Sequence, residues 1–504
     1  MRAGWMSGDR GISRRAVLAG AGAALILPNG AVATVIDPEL RIDAPDGSYW
    51  SLPDSHIFPG IRYARAQRFM APEPVLVAEQ LAATFGPACP QPGGRYAPHS
   101  EDCQYLNIWI PVRRDWRPLP VMVYFHGGAY STGSVTDPLN WGGHLAQRGN
   151  VIVVTVNHRL NALGYLYLGR FDPRFPDSGN AGQLDLICAL QWVRRNIAAF
   201  GGDPGNVTVF GQSGGGAKIA TLMAMPAAAG LFHKAITMSG QQVTASGPLN
   251  ATRRARALLE RLGPGVDPAT APVEQLIAAL SATDPVLGGG VYMGPVLDMR
   301  HLSRHPFWPD APPQSAHIPM LLGNTVAETR AFYPPDGPVL GGLDFGNLAQ
   351  RIAPEMRIDV HPEWVVEQFR ARYPEATPLD LFHRIVTAAR SWRGQVEEAE
   401  MRARSPAANR TFVYQLDFEN ARHTDDIGLA FGTLSNPTPA QQAMSNRVMD
   451  AFVRFARTGN PGWPAYDLRQ RRTMIFDTQS RVESDPRRWE RELFARIPYV
   501  QPGT

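Results

Sequence analysis

Val207-Thr208-Val209-Phe210-Gly211-Gln212-Ser213-Gly214-Gly215-Gly216-Ala217 is the stretch on which the reading of this chain turns. The β-branched apolar run at 207–210 predicts a buried strand. At 211–216 the apolar period switches from two to 3.6, which predicts a helix over 214–223 leaving a sharp turn. At that hinge the residues spell Gly-x-Ser-x-Gly. Glycines on both sides let backbone pass where a Cβ would clash, and the serine is held in a strained conformation at the strand's C-terminal edge. The pattern alone is weak, since glycine-rich turns with an idle serine are common. Between a buried strand and a helix it marks Ser213 as a candidate nucleophile.

Working outward, apolar and β-branched runs at 105–110, 121–125, 151–156, 235–238, 319–323 and 411–418 read as further strands, and 185–198 as a helix. The early strands are expected to pair as hairpins. Strands interleaved with helices predict an α/β fold with a large, mostly parallel central sheet flanked by helices on both faces. Residues 250–314 and 334–408 are helix-rich with Pro and Gly breaks, and are expected to lie above the sheet as cap segments. No repeat, low-complexity tract or interdomain linker divides residues 34–504, which therefore read as a single catalytic domain.

A serine hydroxyl needs a base, and in the α/β-hydrolase order the base lies downstream of the acid. Of the histidines after Ser213, His383 falls in the helical run 379–390 and His361 precedes Pro362 in a polar stretch, so both read as structural or surface residues. His423 sits in a loop directly after the strand 411–418, where the sheet's C-terminal edge would deliver it. By the same logic Glu328, just past the strand 319–323, can reach the imidazole's other nitrogen. A developing oxyanion needs amide donors fixed beforehand. His126-Gly127-Gly128-Ala129 supplies them after the strand 121–125, with the amides of Gly128, Ala129 and Gly214 as the expected hole.

The chain has 504 residues, 44% hydrophobic and 19% charged, the balance of a globular protein. Its net charge of +4 and sequence pI near 9.0 come largely from Arg2, Arg10, Arg14 and Arg15, so the remainder is nearly neutral. No basic stripe suggests a nucleic-acid partner. Ser13-Arg14-Arg15, a short apolar core over 19–27 and Ala31-Val32-Ala33 have the order of a twin-arginine export signal spanning 1–33. That apolar run is too short to cross a bilayer, which takes about 20 residues. A periplasmic or secreted location is expected, with no stable membrane anchor. In such an oxidising compartment Cys89 and Cys103 could close a disulfide loop, while Cys188 reads as a buried free thiol. There is no CxxC and no HExxH to suggest a metal, and the chemistry requires no cofactor. The sequence leaves the oligomeric state open.

Several stretches in order, Glu101-Asp102-Cys103-Gln104-Tyr105-Leu106-Asn107, the 124–133 loop, Phe200-Gly201-Gly202-Asp203-Pro204, 209–216, 323–328, 423–432 and Thr458-Gly459-Asn460-Pro461, make the chain resemble the type-B carboxylesterases. The resemblance implies an α/β-hydrolase fold, hydrolysis of small-molecule esters through an acyl-enzyme, and the serine, glutamate and histidine roles given above. It also implies the Cys89–Cys103 loop and supporting roles for Gln212, Ser239 and Asp426 around the nucleophile and the histidine. Cholinesterase-like members carry a glutamate before the nucleophile and a cation-stacking tryptophan inside the cysteine loop. Here Gln212 stands before Ser213 and no tryptophan lies between Cys89 and Cys103, so choline esters are not expected substrates. Amidase, thioesterase or lipase activity on the same triad is the nearest alternative. A binding protein that keeps the scaffold without turnover is the more distant one.

Overall fold

In the strand Leu119–Phe125 alternate residues go to opposite faces. Val121, Val123 and Phe125 join one core cluster with the helix Ala181–Asn196, while Met122 and Tyr124 join another with the helix Pro439–Thr458. Every residue of that strand is buried, so neither face reaches water, and a sheet covered on both sides follows. The computed structural model describes residues 40–501 except 53–54, 81–83, 113–116 and 357. The expected export signal at 1–33 lies outside the described residues.

Among the described residues ten strands form the main sheet. In chain order they are β1 (Ile57–Arg62), β2 (Tyr105–Trp109), β3 (Leu119–Phe125), β4 (Ile152–Val156), β5 (Gly202–Gln212), β6 (Lys234–Met238), β7 (Met320–Thr325), β8 (Thr411–Leu416), β9 (Arg472–Phe476) and β10 (Arg481–Ser484). Across the sheet the order is β10-β9-β8-β7-β6-β5-β3-β4-β2-β1. From β4 through β9 every neighbouring pair is parallel, and the antiparallel pairs lie at the two ends. This is the α/β-hydrolase fold.

One expectation is corrected. β2 and β3 do not form a hairpin: β4 lies between them, antiparallel to β2 and parallel to β3. The reason is burial, since the β-branched and wholly buried β4 is taken into the centre of the sheet beside β3. The cap segments build their own clusters, one joining Leu258 and Leu276 to Tyr130 and Leu160, the other packing Ile352, Phe369 and Phe382 together.

The parallel arrangement matters because it gathers the C-terminal ends of β3, β5, β6, β7 and β8 along one edge. The loops that follow carry the Gly-Gly pair, Ser213, Ser239, Glu328 and His423 respectively.

Candidate active site

Ser213 has φ of 54° and ψ of −124°, a left-handed backbone that a β-carbon disfavours. It is the cap of α1 (Gly214–Leu222), and the turn is tight enough to require glycine at the two positions that follow. A Cβ on Gly214 would collide with the Ala129 carbonyl, and one on Gly215 with the Phe125 carbonyl. The nucleophile turn and the loop after β3 are therefore pressed together, which places Gly128 and Ala129 beside Ser213. Ala129 itself has a φ of 55°. The amides of Gly128, Ala129 and Gly214 donate to no carbonyl or side chain among the described residues.

A cleft of about 380 Å³ opens over this point, and Gly128, Ala129, Gln212, Ser213, Ser239 and His423 all line it. A larger cavity of about 660 Å³ lies on the far side of the Glu328 loop among arginines and aromatic rings, but it contains no nucleophile. Chemistry, not size, picks out the smaller one.

His423 is buried, and its Nδ1 donates to Glu328 Oε2 in a short hydrogen bond. The other carboxylate oxygen accepts the Thr325 amide at 2.8 Å. Burial alone would push the Glu328 carboxyl up. The facing imidazole, its hydrogen bond, the Ser239 hydroxyl and the Thr325 amide outweigh that and hold it below its ordinary value. Glu328 is thus kept ionised and the imidazole is oriented with Nε2 toward the cleft. There Nε2 meets the Gln212 side-chain nitrogen at 3.3 Å. No hydrogen bond joins Nε2 to the Ser213 hydroxyl among the described residues; in unliganded enzymes such bonds are often long and tighten on substrate.

Asp426 lies in the first turn of the helix Asp425–Phe431, buried, with neither carboxylate oxygen hydrogen-bonded among the described side-chain contacts. Burial, and then the Glu328 charge, push it up to about 7, partly offset by His423. Ser239 Oγ is buried beside Glu328 without a full hydrogen bond of its own. Cys89 and Cys103 are both buried free thiols, so the expected disulfide is not present. The two sulfurs do face one another: the adjoining Cys89 thiol, together with burial, raises Cys103 well above the ordinary thiol range. The Cys89 sulfur also accepts the Leu160 amide at 3.2 Å. Cys188 is a buried free thiol, as the sequence suggests.

The histidines set aside are otherwise engaged. His383 is buried with its Nδ1 3.1 Å from the Thr329 hydroxyl, and His361 is exposed at the N-cap position of the helix Pro362–Arg372, with no side-chain hydrogen bond to the helix. Two features escape sequence reading. Phe332 packs its ring 4.7 Å from the His423 ring, a contact no local pattern announces. Lys218, in α1, is buried and its Nζ donates to the His126 carbonyl at 3.0 Å, behind the loop that carries Gly128. A lysine inside the apolar run Ala217-Lys218-Ile219-Ala220 was the signal that could have found it. Beside it His126 and His158 stack at 4.7 Å, and burial followed by the Lys218 charge lowers His126 to about 3.

A strained serine, a buried imidazole–carboxylate pair and unpaired amides on one edge of such a sheet define a serine hydrolase of the α/β-hydrolase class. The chain belongs to the carboxylesterase family, whose model matches residues 48–493. It is 34% identical to the para-nitrobenzyl esterase of Bacillus subtilis over 486 residues, covering 87% of this chain and 94% of that one. Solved structures agree: a PNB esterase superposes with a TM-score of 0.76 at 34% identity, covering 90% of this chain and 99% of the other. A Geobacillus stearothermophilus carboxylesterase gives 0.78 at 32% identity with the same coverage. The protein is a carboxylic ester hydrolase.

Proposed function

We propose that the enzyme cleaves small-molecule carboxylic esters by two-step acyl transfer at Ser213. The Ser213 hydroxyl attacks the ester carbonyl while His423 Nε2 takes its proton. The oxyanion is received by the Gly128, Ala129 and Gly214 amides. The C–O bond to the alcohol then breaks, and the alcohol leaves with the proton from His423. Water, deprotonated by the same nitrogen, attacks the acyl-serine and releases the acid, restoring both side chains. Glu328 stabilises the imidazolium formed in each half. The observation that carries this reading is the buried His423–Glu328 pair opening onto the same cleft as Ser213 and three unpaired amides.

Choline esters are excluded from the proposed range, because Gln212 offers no carboxylate to a quaternary ammonium and the 89–103 loop offers no tryptophan. Residues 1–33 are proposed to be a cleaved twin-arginine leader and 34–504 one catalytic unit working in the periplasm or outside the cell. The facing thiols of Cys89 and Cys103 support their oxidation to a disulfide after export. Intact mass and a thiol count on protein recovered from the periplasm test both.

The activity itself is tested with nitrophenyl esters of increasing acyl length. Hydrolysis by the wild type and its loss in Ser213→Ala are expected. Undiminished hydrolysis in that variant would remove the assignment.

A further inference from the structure

Among the described residues lining the cleft over Ser213, Arg390 is the only one with a permanent charge. It sits in a π-turn, Thr387–Ser391, between the helices Pro378–Val386 and Trp392–Ala403. Such turns are rare and concentrate at functional sites, because the wider loop re-aims one side chain out of an otherwise regular helix. Here the guanidinium carbon lies 5.7 Å from the centre of the Phe332 ring. That same ring is the one packed on His423. The cation is therefore one aromatic ring away from the general base.

The guanidinium is anchored on one side only. Nη1 donates to the Tyr333 hydroxyl at 2.8 Å and to Glu355 Oε2 at 3.2 Å. Nε and Nη2 donate to no residue among the described ones, and the side chain keeps 25% of its exposure. Those donors form the fork that suits a carboxylate. Glu355 orients the group from behind but does not line the cleft, so a substrate meets the cation and not its partner.

We propose that Arg390 makes this cleft selective for esters whose acyl chain ends in a carboxylate, the monoesters of dicarboxylic acids, over neutral chains of equal length. The acyl chain crosses Phe332 and its terminal carboxylate meets Nε and Nη2 while the scissile carbonyl sits at Ser213. This deepens the esterase reading of the same cleft and rests on it. The charge also repels cationic esters, in keeping with the absence of a choline site.

The test compares kcat/KM for mono-4-nitrophenyl adipate with that for 4-nitrophenyl hexanoate, matched in chain length, at low and high salt. The wild type is expected to favour the adipate at least tenfold at low salt, with the preference shrinking as salt screens the charge. Arg390→Gln is expected to cut the adipate-to-hexanoate ratio at least tenfold, and Arg390→Lys to keep part of it. Glu355→Gln, which removes the neutralising carboxylate, is expected to raise it. A wild-type ratio of one or below, or a ratio that Arg390→Gln does not move, overturns the Arg390 assignment while leaving the esterase reading standing. Failure of the wild type to hydrolyse either ester overturns both.

Discussion

Replacing Lys218 with methionine is expected to reverse the protein's stability ranking across pH. The ammonium is fully buried, holds one hydrogen bond to the His126 carbonyl, and lies 5.8 Å from the Tyr130 ring. Burial lowers it from 10.5 to about 7. At about 1.4 kcal/mol for each tenfold in proton affinity, that gap is worth roughly 5 kcal/mol. An unfolded lysine holds its proton to 10.5, whereas the folded one releases it near 7, so between those values the unfolded state binds more protons and stability rises with pH. Below 7 the full cost of the buried charge stands.

Methionine fills similar volume without titrating, but leaves the His126 carbonyl unpaired, at about 1–3 kcal/mol. The variant is then roughly 2–4 kcal/mol more stable than wild type at pH 6 and, because about 1 kcal/mol of the charge cost persists half a unit below the unfolded value, about 0–2 kcal/mol less stable at pH 10. For a chain of this size each kcal/mol moves the melting midpoint by roughly 1 °C. Paired thermal melts should therefore show the difference in midpoint swinging by about 4 °C between pH 6 and pH 10. A difference that is the same at both pH values refutes the reasoning. The same variant is expected to lose activity about tenfold at pH 8, by loosening the loop that carries the Gly128 and Ala129 amides.

Glu328→Gln keeps the shape of the buried pair but removes the charge that orients and stabilises the imidazolium, so kcat is expected to fall roughly 10³–10⁴-fold; a loss under tenfold in steady-state rates contradicts the role. Gly215→Ala drives a methyl into the Phe125 carbonyl and is expected to yield protein that is insoluble or at least about 3 kcal/mol less stable in urea titration. Asp426 stays protonated in the fold to about 7 against 3.8 when exposed, so its destabilising charge is felt in full above pH 7. Asp426→Asn should accordingly gain midpoint relative to wild type at pH 9 compared with pH 4, and an equal difference at both would refute the shift.

Much of the site was legible because its determinants are local. The switch of period at Gly211 fixes a strand, a turn and a helix within a few residues, and the loops bearing Glu328 and His423 each follow an apolar run. What was not legible depends on distant chain. The order in which β2, β3 and β4 lie is decided by which strands bury both faces. The run 379–390 reads as one helix, but the backbone widens at Thr387–Ser391, and that widening turns Arg390 to the cleft. β9 offers only three consecutive apolar residues, Met474 to Phe476, and β10 is the four residues Arg-Val-Glu-Ser, too short a signal to separate from loop. Phe332 meets His423 only because two loops from different strands converge.

The most direct measurement is to mix the enzyme with 4-nitrophenyl acetate, quench within milliseconds, and map the acetyl group by peptide mass spectrometry. An initial burst of nitrophenol with the acetyl on the peptide containing Ser213, absent from Ser213→Ala and from His423→Ala, which lacks the base that acylation needs, is the predicted result. An acetyl group on another side chain, with turnover intact in Ser213→Ala, would contradict it.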